Sequence, residues 1–304
     1  MSVLGALFDN MDLITKKLED DDEGSFIMTY NYKQDLLKSL DEGSLPDIQL
    51  DHQFTFNCKD ECMGRCCNNI TILLDPWDIE IMVRHLGVSG QHFLSEYCKY
   101  EFSHELKWSY VRLKHAEDGP CIFMLEGGRC RIYPARSRNC RTFPIGRAVR
   151  FESDGTKIEQ ILMVDKRAMA FCLGHKSEKK WTVEEWFKDS DCQKFYELSD
   201  LYLEVINYAT TKLNSQVWMD RNIAKMMIPL LYGPDVLRKK LGISEQNVDH
   251  EEFYRRRMLA LKVVLTDIAA SFGYGPLADG AKEGEVIAVS MMERMKQILL
   301  TEQS

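Results

Sequence analysis

Ten cysteines punctuate this 304-residue chain, and eight of them form one constellation. The decapeptide CKDECMGRCC supplies Cys58, Cys62, Cys66 and Cys67; Cys121 and Cys130 flank CIFMLEGGRC; Cys140 lies in NCRTFP and Cys172 in FCLGH. Thiolates are soft, charged donors. Four of them complete a tetrahedral zinc site or hold one cubane iron–sulfur cluster, and eight would serve two such centres. A disulfide framework is the other use of many cysteines, but it belongs to small secreted chains that lack a sufficient core. With 45% apolar residues and 10% aromatics, this chain is long enough to bury a core without staples.

Steps of four residues put Cys58, Cys62 and Cys66 on one face if the segment is helical; as a loop, the same spacing still permits chelation. Neighbouring Cys66 and Cys67 point apart in either case. One of them therefore serves this centre, while the other serves a second centre or stays a free thiol. Gly127-Gly128 reads as the turn between two strands, Cys121 to Leu125 and Arg129 to Tyr133, so that Cys121 and Cys130 face each other across a hairpin. Arg136 and Arg141, on either side of Cys140, are the candidate cofactor-binding cations. They are placed to lower nearby thiolate pKa values and to hydrogen-bond to cluster or ligand sulfur. Cys98 and Cys192 sit in helical patterns beside Tyr97 and near Phe195, where a free cysteine packs as a small hydrophobe. His175 reads as a group beside the site and not as a ligand.

The elements that must position these residues follow from local signals. Ile70 to Leu74 reads as a short buried strand. Asp75-Pro76 opens a helix, Asp78 stands where a capping-box acid would, and Gly87 closes it. Ser89 starts a second helix through Tyr97, and Tyr110 to His115 is extended. AVRFESDGTKIEQILMV is a second hairpin, with Asp154-Gly155 as its turn. Beyond Trp181, apolar residues recur at helical spacing over Thr182 to Lys188, Cys192 to Asn214, Arg221 to Leu231, Asp235 to Leu241, Glu251 to Ala270 and Glu285 to Leu300. The fold class is α+β. A helical appendage over residues 1–50, ending its first helix at the acidic run Glu19 to Glu23, precedes a compact cysteine-rich domain over 51–180 and a mainly helical region over 181–304.

A formal net charge of -8 argues against bulk nucleic-acid binding. The basic patch PARSRNCRTFPIGR, with Arg136, Arg138, Arg141 and Arg147, suits at most a local anion site. No G-x-G-x-x-G fingerprint or Walker loop occurs, so no motif calls for a nucleotide or for S-adenosylmethionine. No apolar stretch approaches the length of a membrane span. The N-terminal segment carries acids close behind its apolar run and no basic leader, so the expected location is the cytoplasm, where thiols stay reduced.

FNCKDECMGRCCNNITILLDPWDIEIMVRHLGVSGQHFLSEY followed by CIFMLEGGRCRIYPARSRNCRTFPIG resembles the YkgJ-type cysteine-cluster family, a zinc- or iron-chelating domain with the signature CxxCxxCC. The resemblance rests on the CC-ended cysteine run, the D-P-x-D-I and L-G-x-S helices and the C…GG-x-C-x-I-Y…C-R-x-F-P block, over about residues 54 to 175. Two features depart from it: Arg136-Ser137 replaces the family's usual R-P, and the cysteine run is more open. The resemblance implies metal chelation by Cys58, Cys62, Cys66, Cys67, Cys121, Cys130 and Cys140, with Cys172 as an eighth member. One branch, the flagellin lysine N-methylases, joins a similar cluster to methyl transfer onto a protein lysine, which makes such activity the leading enzymatic reading. The expected cofactor is an iron–sulfur cluster of the 4Fe-4S type ahead of zinc, because the run lacks the paired C-x2-C knuckles of structural zinc. The alternatives are a structural zinc module that presents the helical region to a protein partner, and a redox or electron-transfer protein.

Overall fold

The computed structural model describes residues 47–68, 71–104, 106–116, 119–152, 155–163, 171–274 and 291–301. All but the last few residues of the expected N-terminal appendage lie outside them. In chain order the elements are β1 (Gln53–Thr55), β2 (Leu73–Leu74), α1 (Pro76–Leu86), α2 (Gly90–Tyr97), β3 (Cys98–Ser103), β4 (Trp108–Leu113), α3 (Arg138–Thr142), β5 (Ile145–Phe151), β6 (Lys157–Met163) and β7 (Lys180–Thr182). Helices then take over as α4 (Val183–Asp189), α5 (Cys192–Thr211), α6 (Ser215–Trp218), α7 (Arg221–Tyr232), α8 (Pro234–Leu241), α9 (His250–Ser271) and α10 (Met291–Leu300). The class is α+β, with the short strands first and the helices last. Residues 285–290 of the expected final helix lie outside the described residues.

Two compact units divide the chain. Of the described residues, the first contains those up to Leu74, within Tyr97–Lys99 and within Val111–Phe195; the second contains those within Asp75–Glu96, within Tyr100–Tyr110 and from Tyr196 on. In the first, β1 pairs antiparallel with β7, setting Phe54 opposite Trp181. The chain leaves β1 through Phe56, whose buried ring meets Phe143, His175 and Trp186 edge-on at 5.5 Å between centroids. Two indoles add directional ties: Trp181 donates to the Phe56 carbonyl at 2.8 Å and Trp186 to the Thr142 carbonyl at 3.0 Å. Aromatic burial of this kind contributes both area and geometry. The entry to Cys58 is therefore held rigidly.

The expected hairpin is present as β5 and β6, in register from Ile145 opposite Met163 to Phe151 opposite Lys157. Bonds from Gly155 N–H to the Glu152 carbonyl and from Glu152 N–H to the Thr156 carbonyl, both 2.9 Å, close its turn, although Asp154 lies outside the described residues. The strand expected over Ile70 to Leu74 shortens to β2, which pairs Leu73 with Arg112 and Leu74 with Val111.

In the second unit, α1 starts as its sequence dictates. The Asp75 carboxylate accepts from the Asp78 N–H at 2.7 Å, Asp78 accepts from the Asp75 N–H at 3.4 Å, and Gly87 ends the helix at φ 65°. Its inner face buries Trp77, Ile79 and Met82, and Trp77 stands edge-on to Tyr254 of α9 at 5.1 Å. Glu80 and Arg257, fully buried, pair at 2.9 Å. Arg257 Nε and Nη1 have no hydrogen-bond partner, so the pair offsets its own desolvation only in part. The Trp108 indole donates to the Tyr202 hydroxyl at 2.9 Å, which lies 3.3 Å from the Tyr232 hydroxyl. Among the described residues no helix is long and apolar enough to cross a membrane.

Glu80→Gln should cost about 3–5 kcal/mol in chemical denaturation, because it strands a buried guanidinium. Arg84→Ala, which breaks the exposed pair with Glu245, should stay within about 1 kcal/mol. Replacing Glu80 and Arg257 together by methionine should recover most of the first loss.

Candidate metal centre

The segment carrying Cys58, Cys62, Cys66 and Cys67 is a loop of two 3-10 turns, Asp60–Cys62 and Arg65–Cys67, separated by Gly64. Gly64 has φ 79°, a left-handed conformation that glycine adopts at little cost. It rules out the single helix face, leaving the loop reading. Each turn closes on itself: Cys62 N–H donates to the Lys59 carbonyl at 3.2 Å and Cys67 N–H to the Gly64 carbonyl at 2.9 Å.

The segment from Cys121 to Tyr133 is not the pair of strands expected from its apolar pattern. It is a series of turns with isolated bridges, His115 to Cys121 and Met124 to Cys130, so Cys130 lies opposite Met124 and not opposite Cys121. The reason is the double glycine. Gly127 and Gly128 both take positive φ, 82° and 80°, and a Cβ on Gly128 would fall 2.5 Å from the Met63 carbonyl oxygen. A Cβ on Gly64 would fall 2.6 Å from Gly128 Cα. The two loops thus touch backbone to backbone. Cys121 N–H adds a 2.7 Å bond to the Cys67 carbonyl.

Cys140 sits on α3, whose N-cap Ser137 accepts from the Cys140 N–H at 3.4 Å. Cys172 arrives on a loop that docks against the first segment. Leu173 N–H points at Cys62 Sγ at 3.4 Å, and Asn57 N–H donates to the Gly174 carbonyl at 3.2 Å. A Cβ at Gly174 would fall 2.6 Å from the buried Phe56 ring, which would have to shift to admit it. His175 stacks edge-on against Phe56 and Phe143, within this aromatic anchor. Sequence reasoning missed the Gly64 and Gly128 contact and the docking by Gly174; a glycine inside each cysteine loop was the available signal.

The thiols feel one another. Burial pushes Cys58 above the ordinary thiol range, with Cys66 and Cys62 adding to the effect and Arg136 opposing it. Cys172 is raised by burial and, after a backbone N–H that works the other way, by Cys62, Cys66 and Cys58. Cys121 is pushed up to about 11 by burial, with Cys130 adding. Cys130 is raised by burial first, while Arg136 lowers it and Cys66 raises it. Cys140 is exposed at the surface, yet crowding by surrounding protein carries its thiol to about 12, against the Ser137 hydroxyl and with Cys121, Cys66 and Cys130 adding. Cys66 and Cys67, expected to point apart, instead meet side chain to side chain: Cys67 is raised by donating its S–H to Cys66, and the same bond lowers Cys66 to about 7.

The two arginines differ. Arg136 donates to the Tyr133 carbonyl at 2.8 Å, lies 4.0 Å over the Tyr133 ring, and acts on Cys58 and Cys130. Arg141 is buried and braces the loop: it donates to the Pro134 and Ser190 carbonyls at 2.8 and 2.9 Å and covers the Phe195 ring at 4.2 Å. The thiol on which it acts is Cys192, which lies 2.8 Å from the Ser190 hydroxyl. Cys98 and Cys192 are buried, with desolvation the first cause of their raised pKa values.

Among the described residues no group of three Cys, His, Asp or Glu side chains stands close enough to share an ion. The donor chemistry nevertheless fits a thiophilic metal. Eight free thiols come together from four chain segments of one unit, and all but Cys121 are exposed or half-buried and so able to rotate.

Residues 57–167 match the CxxCxxCC family model, described as "Putative zinc- or iron-chelating domain". The matched segment carries seven of the eight cysteines, and Cys172 lies beyond it. No curated protein and no solved structure matches the chain.

Two outcomes test this geometry. Gly128→Ala should lower stability by about 1–3 kcal/mol more than Gly127→Ala, since a Cβ at 127 meets nothing within 4 Å and the clash at 128 is with backbone. In the metal-free chain Cys66 should be alkylated first by iodoacetamide, its rate rising as pH passes about 7, with Cys98 and Cys192 last by peptide mass spectrometry.

Proposed function

We propose that the first unit is a metal-binding domain whose ligands are the thiolates of Cys58, Cys62, Cys66, Cys67, Cys121, Cys130, Cys140 and Cys172, and that it carries an iron–sulfur cluster in preference to zinc. The observation that carries the reading is the gathering of these thiols from four segments, each fixed by its own backbone contacts. The family match over residues 57–167 supports zinc or iron as the element. The open cysteine run with its adjacent Cys66 and Cys67 supports the cluster, as does the Leu173 N–H directed at Cys62 sulfur, because hydrogen bonds to sulfur are a principal means of tuning cluster potential. Bound metal would replace the protons that the raised pKa values now keep on the thiols. All ten cysteines are free thiols, in keeping with a reducing compartment such as the cytoplasm.

Anaerobic purification followed by iron, zinc and acid-labile sulfide analysis tests the reading. Iron with matching sulfide and a broad visible absorption is the expected result; zinc without sulfide would replace the cluster by a structural zinc site, and absence of both would sink metal binding altogether. Cys130→Ser should lose metal, whereas Cys192→Ser should keep it.

A further inference from the structure

The loop from Cys121 to Arg136 carries more than two thiols, for it also presents a face of exposed apolar side chains and arginines. We propose that this face, with Arg65 of the neighbouring cysteine loop, is a docking surface for a partner protein that presents carboxylates around an apolar patch.

The composition of the loop is that of an interface. Between Cys121 and Arg136 the chain holds three arginines, one glutamate and no lysine. Arginine and tyrosine are enriched where proteins meet, whereas lysine and glutamate are depleted. Among the described residues of the first unit four large apolar side chains are exposed, Leu50, Ile122, Leu125 and Tyr133, and three of them belong to this loop. Tyr133 is the most open, at 57%. Apolar exposure gathered in one loop marks an interaction site, whereas the same residues scattered singly would mean little.

Backbone contacts make the face continuous. Leu125 N–H donates to the Arg129 carbonyl at 2.7 Å and Gly128 N–H to the Leu125 carbonyl at 3.0 Å, so Leu125 and Arg129 flank one tight turn. The contact of Gly64 with Gly128 brings their successors, Arg65 and Arg129, out of the same place. Arg136 lies 4.0 Å over the Tyr133 ring. Arg65 and Arg129 are exposed, and among the described residues neither they nor Arg136 pairs with a carboxylate, whereas Arg147 and Arg150 of β5 pair with Glu159 and Glu152. Glu126 is the loop's own acid, and Asp60 and Glu61 stand on the turn across Gly64. In a chain of net charge -8, cations left unpaired beside exposed leucine and tyrosine suit carboxylates brought by another molecule. A second copy docked about a two-fold axis would set arginine against arginine. Nucleic acid would answer the arginines but leave Ile122 and Leu125 unmatched, so an acidic protein surface fits both halves of the face. Cys66 follows Arg65 and Cys130 follows Arg129, so a partner seated here covers the segments that bear these thiols.

The test places the photo-crosslinker p-benzoylphenylalanine at position 125 of the full-length chain, in the cells that produce it, with position 217, an exposed valine of the second unit, as the control. Irradiation should join position 125, and not position 217, to another protein, through a segment that mass spectrometry shows to be rich in aspartate and glutamate. Arg65→Glu with Arg129→Glu should lower the yield of that adduct at least about tenfold, because like charges then face each other, while lysine at both positions should keep most of it. Arg136→Glu repeats the charge reversal at a separate position in case the double substitution prevents folding. No adduct above the control level would overturn the proposal, and so would an adduct between two copies of this chain or with nucleic acid. A protein adduct that survives charge reversal, in variants with unchanged far-ultraviolet circular dichroism, would overturn it as well.

Discussion

The site depends on a place where two backbones meet without side chains. Gly64 and Gly128 lie so close that a Cβ on either would strike the other's segment, at 2.6 or 2.5 Å. This contact lets the loop of Cys58 to Cys67 lie directly on the loop of Cys121 to Cys130. Both glycines take positive φ, so the same residue type meets the conformational and the steric demand. Around the contact, the aromatic group of Phe56, Phe143 and Trp186 fixes where the first loop begins, and α3 presents Cys140 from a capped turn.

Gathering thiols in this way has an electrostatic cost. Burial and mutual repulsion disfavour thiolates at most of these positions, and the shared proton of Cys66 and Cys67 is the local compromise. A divalent ion or an iron–sulfur core removes the conflict, since it converts repulsion among sulfurs into attraction to a common centre. Arg136 supplies the nearest relief from the protein itself. Arg141 does something different: its hydrogen bonds hold the carbonyls of Pro134 and Ser190, fixing the chain on both sides of the site.

Much of this was legible in the chain because the signals were local. Asp75, Pro76, Asp78 and Gly87 specify α1 almost alone, the β5 and β6 hairpin follows from its alternation and turn, and the later helices follow from apolar spacing. The expected strands over Cys121 to Tyr133 failed because their apolar pattern competes with two left-handed glycines and with docking against Met63 and Gly64, a contact about sixty residues away in sequence. The helical option for Cys58, Cys62 and Cys66 failed for the same reason, at Gly64. Sequence proximity to Cys140 suggested that Arg141 faces the thiols of the site, whereas its partners come from Pro134, Ser190 and Phe195. That α1, α2 and Tyr100–Tyr110 pack with the C-terminal helices is a long-range outcome that no local window contains.

The central claim is that sulfur from these cysteines is the metal's coordination shell. X-ray absorption at the metal edge of the anaerobically purified protein tests it most directly. The account predicts a first shell of sulfur alone, at about 2.3 Å. A shell dominated by nitrogen or oxygen at about 2.0–2.1 Å would contradict it.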